Sequence, residues 1–382
     1  MQSNKLIWLL LIYLFFVQFN IYTDPVTNAS LNFYHALIPV YFLFFYKPSR
    51  IVQLNSLVCF FIISSFFNLF AYMKYGFNLK FVQFFLCILS SFLGYCFVSD
   101  TTKEDRNKIY AALAVLVVAS VLLRNIYFLD SLSEIYSRSR NVRDIFFISS
   151  GGRNIEVTLL GLLSLLVLNK KKLYYLVIGL AVISSTLMMS RAGLVTAIYS
   201  LLLYFMINKG NTYYKAGTLC LFVLGALVLL TNYQYEIQGS QFYNRLSISN
   251  DLALANEDQG RVALWGAAFD AISKNYFGYG VGNGIKESIL LGGIDIRENN
   301  IHNIYIQYLL ELGVLTLISF TILTYKSIRL TFKTKLPEGY IFCGFFVLGL
   351  FQFTGYEPFI WFFSGSLFYM CRRHCRGNNE QY

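Results

Sequence analysis

The chain has 382 residues, of which 56% are hydrophobic and only 13% are Asp, Glu, Lys or Arg. This charged fraction is about half that of a typical soluble domain, which excludes an ordinary water-soluble globule. The net charge of +11 would by itself suggest a nucleic-acid partner. However, 37 Phe, 29 Tyr and a mean hydropathy of +0.54 indicate a chain surrounded mainly by lipid. We therefore expect a membrane protein that binds no nucleic acid.

Apolar stretches recur along the whole chain, and a helix needs about 20 mainly apolar residues to cross a bilayer. The first stretch begins at Leu6 and lacks a small-residue cleavage site, so we interpret it as a retained helix. We predict an all-α polytopic integral membrane protein with about 12 transmembrane helices, centred near Ile12, Ile38, Ile62, Phe85, Val117, Leu162, Val182, Leu201, Val223, Leu315, Val347 and Phe363.

The predicted spans divide the chain into three parts. Residues 1–231 hold helices 1–9 with short loops, residues 232–302 form one large extracytoplasmic loop, and residues 303–382 hold helices 10–12 and a basic tail. Basic loops stay in the cytosol during insertion. Placing both termini there puts 18 of the 31 basic residues, but only 5 of the 20 acidic ones, on the cytosolic side. Most of the +11 is therefore a topogenic signal, and the large loop is predicted to be periplasmic.

Arginine dominates the basic residues predicted to lie outside the cytosol. Four are Lys and nine are Arg, namely Arg124, Arg138, Arg140, Arg143, Arg153, Arg191, Arg245, Arg261 and Arg297. The guanidinium pairs bidentately with phosphate and carboxylate, so this bias predicts an anionic ligand on the outer face. The alternative is that these arginines pair with acidic residues such as Asp144, Asp251 or Asp258.

Two of the outer segments place arginine at the start of a predicted helix. Arg153 follows the Gly151-Gly152 pair, and a helix amino terminus after such a turn can hold an anion; Arg138 and Arg140 precede it in the same segment. The second segment is the short hairpin Ser190-Arg191-Ala192-Gly193 between two apolar stretches. A charged side chain near lipid depth usually faces a cavity or a partner. The alternative for Arg191 is that it snorkels to lipid phosphates.

The large outer loop contains a predicted amphipathic helix at residues 260–275. At about 100° per residue, one face collects Val262, Trp265, Phe269, Ile272 and Tyr276. This pattern predicts a helix on the membrane surface, anchored by Trp265, with Arg261 reaching phosphate groups. The alternative is that the helix packs on the protein's own spans.

A glycine-rich stretch and a histidine follow this helix. The alternating glycines from Gly278 to Gly284 would let the backbone approach either a ligand or a neighbouring span. His302 directly precedes the predicted tenth span, where the helix dipole favours a neutral imidazole that can accept a proton. Gly313 falls almost on the same helix face and would let a second helix pack closely below. Glu311 is a buried ionisable residue for which the sequence names no partner.

The chain resembles the O-antigen ligase and polymerase family in the order and spacing of four motifs. These are the SRAG hairpin, the GRVALWGAAFDAI helix, the GYGVGNG stretch and HNIYIQYLLELG. The resemblance is most specific from Ser190 to Gly313. It implies a GT-C-like bacterial inner-membrane glycosyltransferase that uses undecaprenyl-pyrophosphate-linked oligosaccharides. Matched residue by residue, it implies that Arg191, Arg261 and His302 are catalytic and that Gly313 is structural. Trp265 stands where the ligase pattern has a leucine, which weakens the assignment to the ligase branch.

We therefore expect a polymerase that passes a growing glycan to the next lipid-linked repeat unit, with a ligase acting on lipid A core, or a flippase, as alternatives. The outer segments contain no acidic cluster with metal-ligand spacing, and the Cys371, His374 and Cys375 triplet falls short of four zinc ligands, so neither metal nor cofactor is expected. Membrane lipid is an expected contact, and the resemblance suggests a chain-length regulator and a flippase as partners. Further substrate-binding candidates are Arg138, Arg140, Arg153, Trp265, Asn303 and Tyr305.

Overall fold

The computed structural model describes residues 2–18, 20–23, 30–45, 55–127, 153–188, 190–207, 252–293, 300–350 and 355–377, which are mostly helical. The helices before residue 208 are α1 (Gln2–Phe16), α2 (Phe33–Phe45), α3 (Asn55–Tyr75), α4 (Lys80–Asp100), α5 (Lys103–Tyr127), α6 (Arg153–Leu166), α7 (Lys171–Leu187) and α8 (Arg191–Ile207). Those after residue 251 are α9 (Leu252–Lys274), α10 (Gly284–Gly292), α11 (Ile304–Leu312), α12 (Val314–Thr334), α13 (Pro337–Leu348) and α14 (Pro358–Gly377).

One short hairpin departs from the all-α prediction. Strands β1 (Asn20–Thr23) and β2 (Ser30–Asn32) pair antiparallel, with Tyr22 opposite Leu31. Ile21, Tyr22 and Thr23 are residue types enriched in strands, so the local sequence carried a strand signal that the helical prediction passed over. The hairpin joins α1 to α2, and the prediction of an exclusively α-helical chain is wrong at this point.

The centre of the bundle is the crossing of α4 with α14. A Cβ atom at Gly94 would overlap the carbonyl oxygen of Phe362, and one at Gly365 would overlap that of Ser91. Small residues let helix backbones approach this closely, and close approach is what holds helices together where lipid removes the hydrophobic driving force. Accordingly, 78% of the apolar window of α4 is buried inside the protein, against 28% for α3 and for α12. Helices α3 and α12 therefore lie at the periphery of the bundle.

Four helices of the described residues are long and apolar enough to cross a membrane: α3 from Ser56, α4, α5 and α12. Shorter apolar helices of 10–17 residues occur within α1, α2, α6, α8 and α13. Every predicted span centre except Val223, which lies outside the described residues, falls inside a helix. The total of about 12 spans, and the division of the chain at residues 231 and 302, stay predictions.

Segments predicted on the same side of the membrane meet at the same end of the bundle. At one end, the Lys5 ammonium lies 2.6 Å from the Asp105 carboxylate. At the opposite end, the side chain of Asn283 donates a hydrogen bond to the carbonyl of Gly76 across 2.9 Å. We call this second end the glycine end; residues 76–79, 275–283, 300–303, 349–350 and 355–357 lie there. Its assignment to the periplasm stays a prediction.

Candidate active site

His302 occupies a tight turn directly before α11. Its φ of +56° lies in the left-handed region that non-glycine residues rarely adopt. The turn is held on both sides: the His302 amide donates to the Asn300 side chain at 3.0 Å, and the Ile304 amide donates to the Gly349 carbonyl at 2.7 Å. The Asn303 side chain caps α11 by accepting from the two backbone amides two and three residues ahead, at 2.9 and 3.1 Å. The histidine is thus presented by a firmly anchored backbone.

The residue before His302 is clamped by two long-range contacts. Ile301 is fully buried, its carbonyl accepts from the Trp265 indole N–H at 2.8 Å, and its amide donates to Gln307 Oε1 at 3.1 Å. The only polar atom of Trp265 is therefore used inside the protein, and its predicted role as an interfacial anchor stays a prediction. Its second predicted role, in substrate binding, stays a prediction.

Helix α9 begins at Leu252, earlier than the predicted start at Gly260, and packs on α10 and α11. The buried face is formed by Leu264, Ala267, Ala268, Ala271 and Ile272. Two members of the predicted apolar face, Phe269 and Tyr276, are instead 53% and 59% exposed. The alternative prediction, that the helix packs on the protein itself, is therefore correct for the face that carries the small residues Ala267, Ala268 and Ala271. The aromatic side chains point outward, as expected for a surface that faces lipid.

The glycine-rich stretch packs directly against α11. Gly278, Gly280 and Gly282 all have φ between +85° and +87°. The Tyr279 amide donates to the Leu310 carbonyl at 3.0 Å, and the Gly280 amide donates to the Glu311 carbonyl at 2.8 Å. The sequence left open whether this stretch approaches a ligand or a neighbouring span. Among the described residues it contacts a neighbouring helix, α11.

Gly278→Ala is expected to destabilise the protein by about 1–3 kcal/mol through backbone strain alone. The added Cβ would also lie 2.5 Å from the Glu311 carbonyl oxygen. Gly266→Ala is the matched control, because Gly266 lies inside α9 and, among the described residues, no atom beyond its own helix backbone and chain neighbours lies within 4 Å of an added Cβ. That change should stabilise the protein by about 0.5–1 kcal/mol, because alanine is the better helix former. Thermal unfolding in detergent measures both, and equal midpoints for the two variants would contradict the expectation.

Glu311, which had no partner in the sequence interpretation, has three. Its buried carboxylate accepts from the Gly282 amide at 3.0 Å, from Gln307 Nε2 at 3.2 Å and from the Tyr356 hydroxyl at 3.0 Å. Burying a carboxylate is costly unless hydrogen bonds replace its hydration. Glu311 therefore ties together three segments: the glycine-rich stretch, α11 and the turn before α14.

The predicted continuous tenth span is interrupted at Gly313, whose φ is +81°. Helix α11 ends at Leu312, directly before this residue, and α12 begins directly after it. The prediction that Gly313 lies on the same helix face as His302 is therefore wrong, because that geometry requires an unbroken helix. The expectation of close packing holds with a different neighbour: an added Cβ would lie 2.6 Å from the backbone of Phe277, in the glycine-rich stretch.

The SRAG hairpin places Arg191 as the first residue of α8. Buried Ser190 donates its amide to the Ser185 carbonyl at 2.8 Å, and its hydroxyl accepts from the Gly193 amide at 3.3 Å, which caps the helix. A Cβ at Gly193 would overlap the Ser185 hydroxyl and lie 2.5 Å from a methyl group of Val157. The first turn of α8 is thus closely packed against α6 and α7.

The backbone of Arg191 lies at about the same depth as the His302 turn, with α13 between them. The Tyr199 hydroxyl of α8 donates to the Tyr340 carbonyl of α13 at 2.8 Å. Arg191 precedes Tyr199 by eight residues in α8, and Leu348, the last residue of α13, follows Tyr340 by eight residues. Each of these steps covers about 12 Å along its helix toward the glycine end. The carbonyl of Gly349, just after α13, is the one that anchors the His302 turn.

Residues 176–321 match the family model described as O-antigen ligase. We call this part of the chain, which is similar to that family, the O-antigen ligase region. The family resemblance predicted from Ser190 to Gly313 is confirmed, since both residues fall inside the match. A comparison with curated proteins finds no match to the chain.

The O-antigen ligase region contains Arg191, Arg261 and His302, whereas Arg153 precedes it. The structure describes the backbones of Arg191 at the start of α8, Arg153 at the start of α6 and Arg261 within α9. The side chains of these three arginines lie outside the described part. Two further candidates, Arg138 and Arg140, lie outside the described residues altogether. The catalytic and binding roles of all these residues stay predictions.

Asn303 and Tyr305, both proposed to bind substrate, have structural contacts in the O-antigen ligase region. The Asn303 amide group donates to the Leu350 carbonyl at 3.2 Å, while its oxygen caps α11. The Tyr305 hydroxyl donates to the Phe346 carbonyl of α13 at 3.0 Å. These contacts account for both residues without a ligand, and any role in substrate binding stays a prediction.

An internal ion pair lies just outside the O-antigen ligase region. Arg124, near the end of α5, binds Glu156 bidentately at 2.5 and 3.1 Å, and the two side chains are 5% and 0% exposed. One of the nine outer arginines is therefore explained by pairing, as the alternative interpretation required. The partner is Glu156, in the first turn of α6, rather than Asp144, Asp251 or Asp258.

Sequence reasoning missed Gln307 as a contact of the His302 turn. A signal was present, because Gln307 and Glu311 are the two polar residues with long side chains on α11 and their spacing of four places them on one helix face. Tyr356 and Trp265 gave no such signal, since each reaches its partner across more than 35 positions of the chain.

Proposed function

We propose that the protein is a polysaccharide polymerase of the O-antigen type. It transfers a growing glycan from undecaprenyl pyrophosphate to the next lipid-linked repeat unit at the periplasmic face of the bacterial inner membrane, with both termini in the cytoplasm. The match of residues 176–321 to the O-antigen ligase family model supports a glycosyltransferase that acts on lipid-linked glycans.

The observation that carries this proposal is the strained, anchored turn at His302. A non-glycine residue at φ +56° costs free energy, and such strain persists where the surrounding contacts impose it, often at functional sites. This backbone is held at the glycine end because the amides of His302, Ile304 and Ile301 donate to Asn300 Oδ1, to the Gly349 carbonyl and to Gln307 Oε1. The turn holds in place a residue that can act as a general base.

The chemistry requires one base and stabilisation of one leaving group. A hydroxyl oxygen of the acceptor sugar attacks the anomeric carbon, the bond from that carbon to the lipid pyrophosphate breaks, and His302 takes the hydroxyl proton. Arg191 and Arg261 bind the departing pyrophosphate, whose negative charge rises as the bond breaks. Single displacement inverts the anomeric configuration. We propose this mechanism without a metal ion.

Polymerase is favoured over ligase by the role of Trp265. The chain has this tryptophan where the ligase pattern has a leucine, and its indole N–H bonds the carbonyl directly before His302. A leucine could not donate this bond, so the departure from the ligase pattern changes a contact of the site itself. The ligase reaction onto lipid A core remains the second candidate, because the matching family model carries that description.

Reconstitution in liposomes with one undecaprenyl-pyrophosphate-linked repeat unit distinguishes the candidates by product size. A polymerase yields a ladder of lipid-linked glycans from this substrate alone, whereas a ligase yields a product only after lipid A core is added. Movement of the substrate across the bilayer with no new glycosidic bond would instead identify a flippase. Either of the last two results would contradict the proposal.

In the same assay, Arg191→Lys and Arg261→Ala should each lower the transfer rate by roughly 10²-fold, because each removes a bidentate phosphate contact in the transition state. Lys286→Gln is the matched control, since Lys286 is an exposed cation of α10 at the same end of the protein. Its rate should equal that of the unchanged protein. Full activity of both arginine variants would contradict the proposed phosphate contacts.

A further inference from the structure

Gln307 lies between the His302 turn and the buried carboxylate of Glu311. Its Oε1 accepts from the Ile301 amide at 3.1 Å, and its Nε2 donates to Glu311 Oε1 at 3.2 Å. Gln307 and Glu311 are each 1% exposed. The two hydrogen bonds therefore form inside the protein, where no water molecule can readily replace a lost partner.

The Oε1 atom of Glu311 determines which way the Gln307 amide group faces. This oxygen also accepts from the Gly282 amide, so it acts as an acceptor; the NH₂ group of Gln307 must face it, and the Gln307 oxygen must face Ile301. If the amide group turned over, the Gln307 oxygen would face the carboxylate and its NH₂ would face the Ile301 N–H. Both contacts would then be repulsive.

Glu311 is itself fixed from outside α11. The Gly282 amide donates to the same Oε1 atom that Gln307 contacts, and the Tyr356 hydroxyl donates to Oε2. The position of the carboxylate therefore depends on the glycine-rich stretch and on the turn before α14. Because Glu311 binds Gln307 and Gln307 binds Ile301, the same two segments also constrain Ile301. The neighbouring residue, His302, is the one with the strained backbone.

We propose that Gln307 and Glu311 are positioning residues that hold the Ile301–His302 backbone in its strained conformation and thereby aim His302 at the acceptor hydroxyl. This inference rests on the proposed function of His302. Neither residue needs to touch the substrate, since each acts through the next one in the order Glu311, Gln307, Ile301. Loss of either contact releases the turn toward a more favourable backbone conformation.

The test compares four variants of the full-length protein in liposomes. Gln307→Met and Glu311→Leu remove the hydrogen bonds with little change in volume. Glu311→Gln keeps an acceptor at Oε1, and its NH₂ group can donate to the Tyr356 hydroxyl, which rotates to accept. Thr316→Val is the matched control, because the hydroxyl of buried Thr316 donates to the Leu312 carbonyl of the preceding turn.

The first two variants should lower kcat about 100-fold with little change in KM for the lipid-linked repeat unit, because they misplace the base without removing a substrate contact. Glu311→Gln and Thr316→Val should stay within a few-fold of the unchanged protein. Hydrogen exchange gives a second readout that needs no activity. The Ile301 amide should exchange faster in Gln307→Met than in the unchanged protein, and at an unchanged rate in Thr316→Val.

Gln307→Glu adds a pH readout that a purely structural role would not produce. Two facing carboxyl groups can reproduce the original pattern only while they share one proton, which lets residue 307 donate to Glu311 and still accept from Ile301. The activity of this variant relative to the unchanged protein, compared at each pH, should therefore rise as pH falls. A ratio that does not change with pH overturns the proposed arrangement.

The outcomes separate this inference from the proposed function. If His302→Asn abolishes transfer while Gln307→Met and Glu311→Leu keep full kcat, the positioning roles are wrong and the function stands. If Ile301 exchanges at the same rate in Gln307→Met and the unchanged protein, the positioning role is also wrong, whatever the reaction. If His302→Asn keeps full activity, the proposed function of His302 fails, and the proposal to aim it fails with it.

Discussion

His302→Asn is expected to lower the rate of glycan transfer by roughly 10²–10⁴-fold, the contribution of a positioned general base. Asparagine is the appropriate replacement because it tolerates the left-handed backbone conformation better than most residues, and His302 has a φ of +56°. The change thus removes the imidazole and preserves the turn. Transfer is measured as incorporation of a lipid-linked repeat unit into longer glycans, at saturating substrate and constant pH.

His302→Gly separates catalysis from folding in the same experiment. Glycine adopts positive φ without a steric penalty, so this variant should be as inactive as His302→Asn and more stable than the unchanged protein by about 1 kcal/mol. Higher stability with lost activity is the pattern expected of a residue retained for chemistry. Activity within a few-fold of the unchanged protein in either variant would show that His302 is not the base.

Breaking the ion pair between Arg124 and Glu156 should have the largest effect on stability. Glu156→Leu leaves the buried Arg124 guanidinium without its carboxylate, which costs about 3–5 kcal/mol when one partner of a buried pair is removed. The double change Arg124→Met with Glu156→Leu should recover most of this loss, because it removes both charges and leaves apolar side chains of similar volume. Thermal unfolding in detergent measures the series.

An exposed pair is the control for this series. Lys108 and Glu104 lie 2.5 Å apart on α5, but their side chains are 66% and 76% exposed. Water already solvates both groups, so Glu104→Gln should leave the unfolding midpoint unchanged. If the single and double changes at Arg124 and Glu156 lowered the midpoint equally, the loss would come from packing around the pair and the electrostatic explanation would be wrong.

The positions of the helices could be predicted from hydropathy, whereas the breaks within them could not. Ile62, Phe85 and Val117 lie inside helices long and apolar enough to cross a membrane, because consecutive apolar residues can be buried in lipid only if the backbone satisfies its own hydrogen bonds. The tenth predicted span nevertheless breaks at Gly313. The periodicity of apolar residues shows which side chains can face lipid or the protein interior. It does not show that the backbone of one residue, Gly313, adopts a positive φ and ends the helix.

The face of α9 that packs on the protein could not be predicted, for a related reason. Phe269 and Tyr276 were expected on an apolar face directed at the membrane, and both are exposed, whereas the contact with α10 and α11 is made largely through Ala268 and Ala271. Close packing between helices favours small side chains, while lipid accepts large apolar ones. In a membrane protein the more hydrophobic face is therefore not always the one that faces the protein.

Sequence alone determined that this is a helical membrane protein and that residues from Ser190 to Gly313 resemble the O-antigen ligase family. It also predicts that the basic loops gather on one side of the membrane. These properties depend on composition and on neighbouring residues, which the sequence states directly. Only the tertiary structure decided that Trp265, Gln307 and Glu311 hold the turn of His302. Such contacts join residues from separate segments, and their geometry exists only once helices α9, α11 and the glycine-rich stretch have packed together.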